Sequence, residues 1–312
     1  MKKIKLLLSL MVLAWQFTAV ATEEKKFNIG VTQIIEHPSL DLARKGFEDA
    51  LKDKGMQNKI DFDIKNAQGD FATSQMIAKG FVDNGKDLIF AISTPSAQTA
   101  YNATKNIPIV ITAVTDPSAA GLIGKNITGT SDPMPIGEQV ELIKTVMPKV
   151  KTIGLIYNTS EQNSIVSIAN IKAECDKAGI KYVEAGVTSV NEIVPAMGNL
   201  LEKVDLVFLT TDNLISSSAT LVIELANKKN IPVLAGDAEH MPLGALMTKT
   251  IDFYQIGYRA GEMASEVLEG KNPNDIPIEP PKLNQVLVNK RMAEKYGIDL
   301  TLEIFKNAKV IE

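Results

Sequence analysis

Three short segments carry side chains whose types and spacing could bind a small molecule. Ser93-Thr94-Pro95-Ser96 follows an apolar run, Asp87 to Ile92, and opens a helix with Pro in its first turn and Thr94 as a good N-cap. The free backbone N–H groups there, with the helix dipole behind them, suit an anion such as a carboxylate. The plainer reading is that the hydroxyls only cap the helix. Thr211-Asp212-Asn213 and Gly236-Asp237-Ala238-Glu239 each follow another apolar run. Asp212 and Asp237 are candidates for holding a cation such as an ammonium. The competing reading is that each caps the next helix, a position Asp favours. Further polar residues end other predicted strands: Thr32-Gln33, Thr115-Asp116, and Asn158 with Asn163 close behind.

The elements that must position these residues alternate. Strands are predicted at 27–32, 60–64, 87–92, 108–112, 152–157, 180–184, 205–209, 232–235, 244–248 and 286–288. Helices are predicted between them: from about 38, 71–82, 94–101, 136–146, 161–178, 190–201, 215–228, 254–268 and 290–296. Continuous apolar runs such as Leu88 to Ile92 are the pattern of strands buried on both faces. Strand–helix alternation predicts an α/β fold with parallel sheets, and so many strands predict two Rossmann-like lobes. The turn-rich stretch Thr128 to Pro133, which contains Asp132, is read as the boundary loop. Further crossovers are expected near Lys249 to Asp252 and in the Pro-rich stretch Asn272 to Pro281. Lobe I is then 22–131 with about 250–273, and lobe II 132–249 with about 274–312. In such sheets ligands bind outside the carboxyl ends of the strands, so the polar strand ends would face each other across a cleft.

Composition narrows the chemistry. The chain has 312 residues, 45% hydrophobic and 22% charged, with a formal net charge of −4. That suits an ordinary globular protein and gives no argument for nucleic acid or an anionic membrane surface. One Cys rules out an internal disulfide and any multi-Cys metal centre, and two His leave little for a His-rich one. No metal or cofactor is expected. Phosphate-loop, dinucleotide, zinc-protease and nucleophile-elbow motifs are absent, which argues against an enzyme. His37 and His240 are read as surface loop residues, and Cys175 as a buried packing residue. Residues 1–21 read as a secretory signal peptide: Lys2, Lys3 and Lys5, an apolar run from Leu6 to Trp15, then Ala19-Val20-Ala21 as a cleavage site. No Cys for lipid attachment is near, so a soluble periplasmic location is expected.

Several motifs together resemble one family of ABC-importer substrate-binding proteins. Thr32-Gln33-Ile34-Ile35-Glu36-His37-Pro38-Ser39-Leu40-Asp41 is similar to its T-Q-x-x-E-H-P-x-L-D opening. Thr94-Pro95-Ser96-Ala97-Gln98 and Ala113-Val114-Thr115-Asp116-Pro117 match two more of its motifs. Asn163-Ser164 matches its E-P-N-S loop, with Gln162 in place of Pro. Gly244-Ala245-Leu246 and Asp252-Phe253-Tyr254 with Gly257 match its G-A-L-A-T…D-Y-Y-x-x-G pattern. The resemblance implies the type I periplasmic-binding-protein fold with three hinge crossovers. It also implies a monomer that delivers a small molecule to a membrane permease with a cytoplasmic ATPase. Better-understood members resemble tryptophan or aromatic amino-acid binders. For such a ligand, Ser93, Thr94 and Ser96 would hold the carboxylate, and Asp212 or Asp237 the ammonium. The loop Gln33 to Pro38, with Glu36, would close over the side chain, and Tyr254 could supply aromatic surface. Thr115, Asp132, Asn158, Asn163 and Asn213 complete the expected cleft. A sugar or nucleoside, or a sensing role at a receptor, is the alternative.

Overall fold

The computed structural model describes residues 26–312, so the signal peptide expected over 1–21 lies outside the described residues. One sheet is built from β1 (Phe27–Gln33), β2 (Ile60–Asn66), β3 (Leu88–Ile92), β4 (Ile109–Val114) and β5 (Ile127–Ser131), ordered β2-β1-β3-β4-β5 and all parallel. It is wrapped by α1 (Pro38–Asp53), α2 (Phe71–Asp83) and α3 (Thr94–Ala103). The chain then passes through α4 (Ile136–Val146) into a second sheet. Its strands are β6 (Thr152–Asn158), β7 (Lys181–Val187), β8 (Leu206–Phe208), β9 (Val233–Leu234), β10 (Met247–Ile251), β11 (Leu283–Asn289) and β12 (Lys309–Ile311). Their order is β12-β11-β10-β9-β8-β6-β7, with β10 and β11 antiparallel. The intervening helices are α5 (Gln162–Ala178), α6 (Val190–Leu200), α7 (Asn213–Ser217), α8 (Ala219–Lys228), α9 (Phe253–Leu268) and α10 (Lys290–Tyr296).

Both faces of each sheet are covered, which is why the central strands are apolar throughout. Along β3, Leu88, Phe90 and Ile92 enter the core shared with α1 and α9, while Ile89 and Ala91 enter the core against α3. Cys175 is fully buried in the core of the second sheet, and burial pushes its thiol up to about 11, so it packs as the sequence predicts. Helix α9 leaves β10 in the second sheet and returns to pack on α1 beside the first. The approach is close enough that a Cβ on Gly257 would meet the Ala43 carbonyl oxygen at 1.8 Å, so only glycine fits.

The α/β class and most elements match the sequence reading; four details differ. The stretch Thr128 to Pro133, read as a loop, is largely β5, every residue of it buried. Its turn-like composition serves a strand, because the hydroxyls are internally satisfied. Thr128 donates to the Ile276 carbonyl at 2.7 Å and Thr130 to the Ile256 carbonyl at 3.1 Å. Gly129, at φ 135°, lets the chain pass Ile111, whose carbonyl oxygen would sit 2.0 Å from a Cβ. The strand expected at 244–248 lies at Met247–Ile251, and β12 was not expected at all. The helix expected over 215–228 is two helices. It breaks where Ser216 and Ser217 turn their hydroxyls to Asp237 and to the Leu214 carbonyl.

Candidate functional site

The carboxyl ends of the two sheets face each other. Between them a void of about 10 Å³ is walled by His37, Leu40, Ala113, Asp132 and Phe253 from the first-sheet side, and by Asn163, Thr211, Asn213, Ser216 and Asp237 from the second. That is room for about one water molecule, so the two walls stand nearly in contact. Direct contacts cross it: Ser39 donates to Asp237 Oδ2 at 2.9 Å and to Glu239 Oε2 at 3.3 Å, and His37 Nε2 lies 3.5 Å from Asn213 Oδ1.

Buried polar atoms are normally paired, so those without partners mark where something else binds. Ser93, Thr94 and Ser96 are each at most 1% exposed, and none of their hydroxyls has a partner among the described residues. No side chain caps α3, so the plainer capping reading fails for these residues. Ser93 sits at φ 84°, ψ 159°, a backbone region essentially reserved for glycine. Strain of that kind, about 1–3 kcal/mol, gathers at ligand clamps. Ala113, on the void wall, also has positive φ at 55°. Three donors and a helix N-terminus held in this way could cradle an anion.

The two candidate aspartates have different fates. Asp212 is fully buried and spent. It accepts from the Asn158 N–H at 2.6 Å, the Ser164 hydroxyl at 2.6 Å and, as cap of α7, the Ile215 N–H at 2.9 Å. Burial, then the nearby Glu161 charge, lifts its carboxyl to about 7. Asp237 caps nothing. Its Oδ2 accepts from Ser39 and from Ser216 at 3.0 Å, but its Oδ1 has no partner among the described residues.

Asp132 opposes Asp237 across the void. Its N–H donates to the Val114 carbonyl at 3.0 Å, and its Oδ1 is unpartnered. Burial pushes its carboxyl well above the usual range, with the Asp237 charge adding to this and the Thr115 hydroxyl bond opposing it. Two facing acids with free oxygens could hold a cation between them.

The remaining expected residues divide. Asn163 and Asn213 line the void, and Asn163 Oδ1 is unpartnered. Asn158 is buried, but its amide is tied to Glu161 at 3.0 Å and its oxygen to the Ser160 N–H at 2.9 Å, so it shapes the loop. Gln33 donates to the Ile35 carbonyl and to Asp41, both at 2.9 Å, and braces the first loop from inside. Glu36 is exposed. Tyr254 faces away and donates to Asp49 at 3.1 Å; one position earlier, Phe253 is 3% exposed and supplies the ring on the void wall.

His37 and His240 are not surface residues: they are 6% and 3% exposed, and burial lowers both pKa values. A reading by loop position missed them because the loops themselves are folded into the cleft. Ser39 and Ser216, which hold Asp237, were also missed; their spacing from it in sequence carries no signal. A broader groove beside α9 is lined in part by Tyr258, Arg259, Glu262 and Glu279. Arg259 there is already held by Glu279 at 2.8 Å and Glu262 at 3.1 Å.

A two-sheet α/β molecule with unpaired polar groups of Asp132, Asn163 and Asp237 on a void between its sheets has the architecture of type I periplasmic solute-binding proteins, and solved members of that class share the fold. The chain belongs to the ABC transporter substrate-binding protein family, whose pattern it matches over residues 28–311.

It is 47% identical to the tyrosine-binding protein of Clostridioides difficile (strain R20291), over 86% of this chain and 80% of that one. A Streptococcus pneumonia ABC domain solved in complex with L-Trp is 36% identical, with a TM-score of 0.89 over 92% of this chain and all of that one. A ligand-free, open substrate-binding protein with adhesive properties from Clostridium difficile is 41% identical, with a TM-score of 0.67 over 92% of this chain and 99% of that one. The better superposition comes at the lower identity. The two sheets of this chain are therefore disposed as in the L-Trp complex, in keeping with the contacts that cross the cleft.

Proposed function

We propose that this chain is the extracytoplasmic binding component of an ABC importer for an aromatic L-amino acid. The observation that carries this is that two opposite chemistries are buried without partners: hydroxyls at the α3 N-terminus, and acid oxygens of Asp237 and Asp132. A zwitterion satisfies both. The carboxylate takes Ser93, Thr94 and Ser96; the ammonium takes Asp237 and Asp132; Phe253 and Leu40 offer an apolar wall for the side chain. The tyrosine and tryptophan ligands named for the two relatives above support the aromatic choice.

The cycle is a hinged clamp. Lobe I (22–131 with about 250–273) and lobe II (132–249 with about 274–312) turn about three crossovers, and ligand shifts the population to the closed form that the permease reads. Membership of β1–β5 and β6–β12 in separate sheets supports these lobes. The protein works as a monomer in the periplasm after loss of its leader, hands its cargo to a permease with a cytoplasmic ATPase, and catalyses nothing.

Thermal melting tests this. Protein lacking residues 1–21 is unfolded and refolded to remove carried ligand, then melted with amino acids, sugars and nucleosides. Ligand at 100 times its dissociation constant stabilises by about 2.7 kcal/mol. A rise in Tm confined to Tyr, Trp and Phe is expected. A rise with a sugar or nucleoside and none with any amino acid overturns the reading.

A further inference from the structure

Glu161 precedes α5, is 7% exposed and is not among the residues that wall the void. Its Oε1 accepts from the Asn158 amide at 3.0 Å and the Leu214 N–H at 3.3 Å. Its Oε2 accepts from the Asn163 amide at 3.2 Å, the Asn213 N–H at 3.4 Å and the Asn213 side-chain amide. A carboxylate only accepts, so the NH₂ ends of these side chains must face it and their carbonyl ends must face away.

For Asn163 and Asn213, away from Glu161 means toward the cleft. Asn163 Oδ1 is unpartnered, and Asn213 Oδ1 meets His37 Nε2. An amide oxygen also only accepts, so His37 must carry its proton on Nε2. Its unpartnered Nδ1 then presents a lone pair. Asp237 Oδ1 and, when its carboxyl is ionised, Asp132 Oδ1 add further acceptors. A primary ammonium is the complementary group: three donors and no acceptor. A hydroxyl or an amide would set its own lone pairs against the wall.

We propose that Glu161 is a positioning residue that turns acceptors toward the cleft, by fixing the amides of Asn163 and Asn213 and, through Asn213, the tautomer of His37. It thereby selects ligands that carry a primary amine. The inference rests on the amino-acid reading above and assigns that reading's amine specificity to a residue that never touches the ligand. Asn163 is held a second time, by the Thr211 carbonyl at 3.2 Å, and Asn158 by the Ser160 N–H on its oxygen. Asn213 is therefore the side chain that depends most on Glu161.

The test joins neutron diffraction of crystals grown without added ligand to calorimetric titration with L-tyrosine, on wild type, Glu161→Gln and Glu161→Asp. Wild type is expected to show both NH₂ groups deuterated toward Glu161. Glu161→Gln brings an NH₂ of its own into the cluster, so the Asn213 amide should reverse and the L-tyrosine affinity fall tenfold or more. Glu161→Asp, which restores an acceptor-only group, should keep the wild-type orientation and most of the affinity; it also serves if the Gln variant does not fold. An Asn213 NH₂ pointing into the cleft in wild type overturns the proposal. So does a Glu161→Gln protein with unreversed amides and an affinity within twofold of wild type. A wild type that binds no amino acid sinks the functional reading alone, because the amide orientations still decide the positioning role.

Discussion

The turns after β8 and β9 begin alike in sequence and end in opposite chemistry. Each places an aspartate just beyond a buried strand at the same rim of the same sheet. After β8, Asp212 collects three donors from its own lobe, two backbone N–H groups and the Ser164 hydroxyl. After β9, Asp237 is held through one oxygen only, by Ser39 and Ser216, and keeps the other for the cleft. One carboxylate is used up within its own lobe, and the other keeps an oxygen free on the void wall. The difference lies in how many donors the neighbouring backbone supplies, not in burial, since both side chains are at most 1% exposed.

Variants can break this contrast. The largest effect is expected from Asp237→Asn, which keeps the shape but turns an NH₂ or a neutral oxygen toward the ammonium. Removing one partner of a buried charge pair costs about 3–5 kcal/mol, so titration with L-tyrosine should show a loss of a hundredfold or more, with little change in the ligand-free Tm. Asp212→Ala should do the reverse. Three buried donors and a helix cap are orphaned at a cost of about 2–4 kcal/mol, read as a fall in ligand-free Tm of roughly 5–15 °C. If Asp212→Ala abolished binding at unchanged Tm, the two roles would have been exchanged. Ser96→Ala removes one donor from the α3 cradle and should weaken L-tyrosine about tenfold, while leaving the Tm near wild type.

The smallest effect concerns pH. Burial, then the Asp237 charge, lifts Glu239 to about 7. An acid whose pKa is higher folded than unfolded contributes stability that is full below the unfolded value and is lost as pH rises through the folded one. The Glu239 carboxyl should therefore favour the folded state at pH 5 over pH 8 by about 1–2 kcal/mol for a partly exposed group, read as the difference in Tm slope between wild type and a variant without it. Glu239→Gln should reduce that slope.

Much of the frame was legible because burial on both faces forces apolar runs, and β1, β3 and β4 announce themselves in this way. β5 did not, because its Thr and Ser satisfy their hydroxyls inside the molecule, a pairing that links residues more than a hundred positions apart. The candidate site was legible as a set of strand ends and only partly as roles. Ser93, Thr94, Ser96, Asp132 and Asp237 each keep a buried polar atom without a partner among the described residues. Asp212 and Asn158 are structural, and Gln33 braces a loop. Tyr254 missed by one helical position: Phe253, Ile256 and Ala260 pack inward on α9, while Tyr254 is turned to Asp49 on α1. Hydrogen-bond partners distant in sequence decide such outcomes, and no local pattern encodes them.

The backbone at Ser93 carries a consequence for the protein's evolution. Glycine there would relax the φ of 84° and make the fold more stable, yet it would delete one of the cradle's hydroxyls. The position is a small conflict between durability and appetite. Selection for a tougher protein would push it toward glycine, selection for scavenging scarce cargo back toward serine, and relatives living on abundant cargo are where the exchange should be found.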